Sequence, residues 1–141
     1  MKYIKKKLTI DKIKIENIAK KFNTPTYCYS YTQLKKNINN FKKNFKSFSP
    51  LICFAIKSNT NVNLISEIQK FGLGADVVSM GELMMALKAG VNPKKIVFSG
   101  VGKTSNEISF AIDKKILLIN AESKSEINEI DRLARIKKKK V

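Results

Sequence analysis

Lys57 closes the one wholly apolar run in the chain, Leu51-Ile52-Cys53-Phe54-Ala55-Ile56, and Ser58-Asn59-Thr60-Asn61 follow it directly. A run of that length reads as a strand buried on both faces. A lysine at its carboxyl end is expected to sit half out of apolar surroundings, where burial disfavours the charged ammonium. A lysine so placed can serve as an amine nucleophile able to form a Schiff base, although in a chain with 28 basic residues an ordinary solvated lysine fits the position too. Asp76 is the second candidate. It interrupts the apolar stretch Ala75-Asp76-Val77-Val78, where an unpaired carboxylate is costly. Neighbouring parallel strands bring their carboxyl ends to one mouth, which would set Asp76 near Lys57. A short strand with Asp76 facing solvent or capping a helix fits the residues equally well. Glu82 falls in the first turn of the following helix, where the macrodipole already favours an acid on structural grounds.

Ser99-Gly100-Val101-Gly102-Lys103-Thr104 lies between a strand and a helix and ends in Gly-Lys-Thr, as phosphate-binding loops do. Such a loop needs a further glycine five residues before the glycine of Gly-Lys-Thr. Val97 occupies that position. The two glycines are therefore read as a tight turn at the carboxyl edge of a sheet, and nucleotide hydrolysis is not expected.

Positioning these residues falls to a recurring unit: a short apolar strand, a polar loop, an amphipathic helix. Strands are expected at 51–56, 75–78, 95–98 and 116–119, and helices at about 61–71, 80–89, 105–112 and 123–136. Units of this kind, repeated about every 20 residues, make a parallel sheet. Both a small open α/β sheet and half of a (β/α)8 barrel fit, and a complete barrel needs about 250 residues. Before these units, a helix is expected over 12–22, ended by Asn23-Thr24-Pro25, then a strand at Tyr27-Cys28-Tyr29. A second helix capped by Thr32 is expected to run to about Phe48. Residues 1–31 thus read as a helix and strand leading into a barrel portion, 32–141.

Composition narrows the functional classes. The 141 residues carry a net charge of +17, with 28 basic residues of which only Arg132 and Arg135 are arginines, leaving 26 lysines. Base readout favours the planar fork of arginine, so specific nucleic-acid recognition is not expected. Histidine is absent, which removes imidazole triads and histidine metal sites from this chain. Cys28 and Cys53 have no metal-ligand or redox spacing and read as free thiols of a reducing compartment. No stretch has the length of a signal core or a membrane span, and a cytoplasmic location is expected.

Phe54-Ala55-Ile56-Lys57-Ser58-Asn59 resembles the Tyr-Ala-Val-Lys-Ala-Asn signature of the fold type III pyridoxal-phosphate decarboxylases. Residues 75–83 resemble their second motif, and residues 96–104 and 24–30 are similar to the diaminopimelate decarboxylase branch. The motifs keep their order and register from about Ile13 onward. The resemblance implies an α/β fold, the N-terminal half of a pyridoxal-phosphate-binding (β/α)8 barrel. It implies that Lys57 forms the Schiff base with pyridoxal phosphate, that Asp76 lies close to that linkage, and that Glu82 belongs to its supporting shell. The reaction implied is decarboxylation of meso-diaminopimelate to lysine by a cytoplasmic homodimer, with no membrane partner. In the family, a later histidine, a glycine-rich phosphate loop, a glutamate for the pyridine nitrogen and a C-terminal β-domain complete the site. None occurs in these residues, so the chain is expected to be an N-terminal portion that is inactive in isolation. The alternatives are an ornithine- or arginine-type decarboxylase portion and a non-catalytic pyridoxal-phosphate-binding protein.

Overall fold

The computed structural model describes residues 1–141, which divide into two compact units, Met1–Pro50 and Leu51–Val141. The first unit opens with an antiparallel meander of β1 (Lys2–Ile4), β2 (Lys7–Ile10) and β3 (Ile13–Lys14). Its two hairpin turns carry positive φ at both central residues, Lys5 and Lys6 (48° and 62°) and Asp11 and Lys12 (48° and 70°). That is the geometry matched to strand twist, but asparagine and glycine are its usual residues. No sequence reading anticipates the sheet, because Lys-Lys and Asp-Lys do not announce such turns. The helix expected over 12–22 begins only at Ile15, as α1 (Ile15–Phe22), since 13 and 14 pair with β2.

The strand expected at 27–29 does not form: those residues bond to no neighbouring strand, and Tyr27 is 91% exposed. The second helix, α2 (Tyr31–Asn44), is capped by Ser30 rather than Thr32. Ser30 Oγ accepts from the Gln33 N–H at 3.1 Å and donates to Asp11 Oδ1 at 2.6 Å, while the Thr32 N–H donates to Asp11 Oδ2 at 3.2 Å. The helix ends at Asn44, and a 3₁₀ turn, Lys46–Phe48, replaces its expected last turn.

The second unit is a four-stranded parallel sheet of β4 (Cys53–Ala55), β5 (Gly74–Val77), β6 (Ile96–Phe98) and β7 (Leu118–Ile119). Each strand is followed by its helix: α3 (Val62–Gln69), α4 (Met80–Lys88), α5 (Ser105–Lys114) and α6 (Lys124–Ile136). All four expected units are present, with three of the strands shorter and β5 displaced by one residue from the expected 75–78. The strands lie side by side in chain order without reversal. Crossovers of one hand that always step in the same direction put every helix on the same face, as in a barrel wall; an open doubly wound sheet must reverse.

Burial follows that geometry. Ala75, Val77, Ile96 and Phe98 are fully buried with Ile56, Ile65, Leu83 and Ile108 in one core. The alternate residues Asp76 and Val97 are half-buried and Leu118 is exposed on the opposite face. Gly74 shows how closely the strands approach there. A Cβ at that position would lie 2.0 Å from the Lys95 carbonyl oxygen and 2.9 Å from Cys53 Sγ, so no larger residue fits without displacing backbone.

Candidate functional site

The carboxyl end of β4 leads into a 3₁₀ turn, Ile56–Ser58. Ile56 anchors it, being fully buried; Ser58 Oγ donates to the Ala55 carbonyl at 2.7 Å and the Asn59 N–H to Ile56 at 2.9 Å. Lys57, between the buried and the bonded residue, is exposed. The expectation of a half-buried lysine is therefore corrected: the strand stops at Ala55, and the turn directs the ammonium outward. What the fold supplies is presentation, because this turn packs against both β5 and α4, the elements that carry Asp76 and Glu82.

Asp76 pairs with Ala55 on one side and Val97 on the other, and its side chain belongs to the face that the helices leave open. It caps no helix. Oδ1 accepts from Ser99 Oγ at 2.7 Å, and Ser99 Oγ accepts in turn from Asn120 Nδ2 at 3.0 Å. The Cys53 thiol shares this face; burial first, then the charge of Asp76, pushes its pKa up.

Glu82 occupies the third helical position of α4. Its own N–H donates to the cap Ser79 at 3.2 Å, and its carboxylate accepts from the Val78 N–H at 2.9 Å. Ser79 and Glu82, Thr104 and Glu107, Ser123 and Glu126 repeat one capping pattern, serine or threonine followed three residues later by glutamate. Glu107 adds a link between loops by accepting from the Met80 N–H at 3.0 Å. The Thr104 N–H first, then that of Met80, holds its carboxyl below the usual range.

Lys103 is the residue whose position sequence reasoning missed. Its side chain is 1% exposed, and Nζ donates to the Gly100 carbonyl (2.6 Å), the Asn120 carbonyl (2.7 Å) and Glu126 Oε1 (2.9 Å). Burial alone would push the Glu126 carboxyl up, but the Glu122 N–H and Lys103 outweigh it and hold it below the usual value. An ammonium has three donors, and all three are spent inside the protein. The Gly-Lys-Thr loop is thus a clasp between the loops after β6 and β7, with Gly100 and Gly102 at φ of 93° and 72°. Its only sequence signal is the glutamate in the third capping pattern. A concavity of about 620 Å³ lies instead beside β7 and residues 138–141.

A parallel β/α wall with a lysine and a carboxylate at the carboxyl ends of adjacent strands is a scaffold able to carry Schiff-base chemistry. Residues 31–141 match the family described as pyridoxal-dependent decarboxylase, pyridoxal binding domain, and the chain belongs to that family. It is 44% identical over 119 residues to diaminopimelate decarboxylase of Helicobacter pylori (strain J99), covering 84% of this chain and 29% of that protein. A crystal structure from Aquifex aeolicus matches with a TM-score of 0.94 at 38% identity, covering 99% of this chain and 35% of that one. Diaminopimelate decarboxylase from Helicobacter pylori in complex with L-lysine matches with a TM-score of 0.84 at 40% identity, covering 88% and 32%. The chain spans about a third of the length of these relatives. The sheet is accordingly the N-terminal part of a (β/α)8 barrel.

The residues present fit the reactive end of pyridoxal phosphate. An exposed primary amine is offered to its aldehyde, and Asp76 Oδ2, which has no protein partner, supplies a carboxylate on the adjoining strand. Lys103 does not fit its phosphate, since every donor it has is engaged.

Proposed function

We propose that this chain is the cofactor-attaching part of a pyridoxal-phosphate-dependent carboxy-lyase that converts meso-diaminopimelate to L-lysine and carbon dioxide. The observation that carries the reading is the placement of Lys57 on a rigid turn packed against the strand of Asp76. That placement occurs in a chain 44% identical to a diaminopimelate decarboxylase. When bound, pyridoxal phosphate supplies an electron sink for the pair released as the α-carboxylate departs. Lys57 would hold the cofactor through its side-chain amine. Asp76 would stabilise positive charge on that nitrogen. Glu82 supports both by fixing the Val78 N–H, and with it the turn from β5 into α4. Residues 32–141 form the barrel portion, and the working assembly is a cytoplasmic homodimer. In the structure, no helix is long and apolar enough to cross a membrane.

The test is carbon dioxide release from meso-diaminopimelate by the full-length, pyridoxal-phosphate-loaded protein. Lys57→Ala is expected to lower the rate by at least about a thousandfold, the scale of losing a covalent catalytic group. Equal rates for Lys57→Ala and the unaltered protein contradict the reading. Faster release from ornithine or arginine than from meso-diaminopimelate overturns the substrate assignment.

A further inference from the structure

Ser99 and Asn120 lie one residue beyond β6 and β7, yet the sheet still holds their backbones. The Ser99 N–H donates to the Val77 carbonyl and the Asn120 N–H to the Phe98 carbonyl, each at 2.8 Å. Register fixes the faces. Asp76 pairs with Val97 and Val97 with Leu118, so Ser99 and Asn120, two residues on from Val97 and Leu118, share the open face with Asp76. Three polar side chains from three adjacent strands thus form one hydrogen-bonded row.

The direction of the row follows from donor and acceptor chemistry. A carboxylate only accepts, so the 2.7 Å contact commits the single hydroxyl proton of Ser99 to Asp76 Oδ1. The group 3.0 Å from Ser99 must then donate, which sets the Asn120 amide with Nδ2 toward Ser99. Asn120 cannot drift, because its carbonyl is gripped by the buried Lys103. Oδ1 is therefore occupied and the plane of the carboxylate is set, leaving Oδ2 as the free oxygen.

We propose that Ser99 and Asn120 are positioning residues for Asp76, orienting its carboxylate toward the Lys57–cofactor linkage. The inference rests on the cofactor reading above. Its test is the equilibrium constant for attachment of pyridoxal phosphate at Lys57, measured at fixed pH by borohydride reduction and peptide mapping of the full-length protein. The remaining lysines serve as internal references. Ser99→Ala is expected to lower the Lys57 constant about tenfold, the effect of one charge-assisted hydrogen bond, leaving the reference lysines unchanged. Ser99→Thr, which keeps the hydroxyl, should retain the original value. In an Asp76→Asn background, Ser99→Ala should produce no further change, which a merely structural role does not predict. Asn120→Asp is an independent probe: two carboxylates then compete for one hydroxyl proton, and the Lys57 constant should fall while that of the Asp76→Asn, Asn120→Asp pair does not fall further. Preferential attachment at Lys57 that both Ser99→Ala and Asn120→Asp leave intact, or equal losses with and without Asp76, overturns the inference alone. No preference for Lys57 over the reference lysines overturns the cofactor reading and the inference with it.

Discussion

Two of the 26 lysines sit in opposite surroundings, and the difference separates presentation from structure. Lys57 is exposed on a turn anchored by the fully buried Ile56, so its amine is accessible while its backbone is held. Lys103 is enclosed, with every proton assigned. Removing one partner of a buried pair strands the other, at a cost of about 3–5 kcal/mol. Lys103→Ala should therefore lower unfolding stability by that order in urea titrations. A loss under about 1 kcal/mol, typical of an exposed pair, would show that the clasp is slack. A different cluster contributes to the acid limb. Asp113 accepts from Lys137 (2.6 Å) and Lys139 (2.7 Å), and the Lys137 bond first, then that of Lys139, lowers its pKa from 3.8 to about 2. A carboxyl lowered on folding contributes stability above its unfolded pKa and loses it as pH falls through the folded one. The stability difference between the unaltered chain and Asp113→Asn should be constant above pH of about 4 and vanish towards pH 2. A difference that grows on acidification contradicts this, and because all three groups are partly exposed the effect should shrink in salt.

At the scale of elements, the four βα units are held by strand contact on one side and by capped helices on the other. Gly74 marks the tightest strand contact. Gly74→Ala should destabilise by about 1–3 kcal/mol through overpacking against the Lys95 carbonyl and Cys53. A midpoint unchanged in chemical denaturation would mean that the strands separate freely. These units were legible because each is a local pattern: an apolar run such as 51–56, a polar loop, then apolar residues at helical spacing. The meander of β1 to β3 was not, since lysine occupies turn positions that asparagine and glycine normally announce. Lys57 and Asp76 stood out as polar residues at apolar strands. The row of Asp76, Ser99 and Asn120 did not, because it exists only through the register of three strands, and no spacing along the chain encodes it. Exposure of Lys57 also escaped prediction, since an apolar run does not reveal that its last residue turns away from the sheet.

For the molecule as a whole, β4 and β7 each lack a strand neighbour on one side, and Leu117 and Leu118 beside the β7 edge are 47% and 48% exposed. Unpaired edges template association, while a net charge of +17 opposes it. The edges should dominate once salt screens the charge. Light scattering on the 141-residue chain is expected to show self-association that increases with ionic strength; a monomer at all salt concentrations contradicts this. The 141-residue chain offers an amine and a carboxylate but no free donor from Lys103 for the cofactor phosphate. Its own carbon dioxide release from meso-diaminopimelate should fall far below about ten per second, a median enzyme turnover.

The central claim, that Lys57 is the point of cofactor attachment, is tested most directly by borohydride reduction of the pyridoxal-phosphate-loaded protein followed by peptide mapping. The pyridoxyl group is predicted on Lys57, within the peptide spanning Ile56 to Asn59. A stoichiometric pyridoxyl group on another lysine, with Lys57 unmodified, contradicts the account.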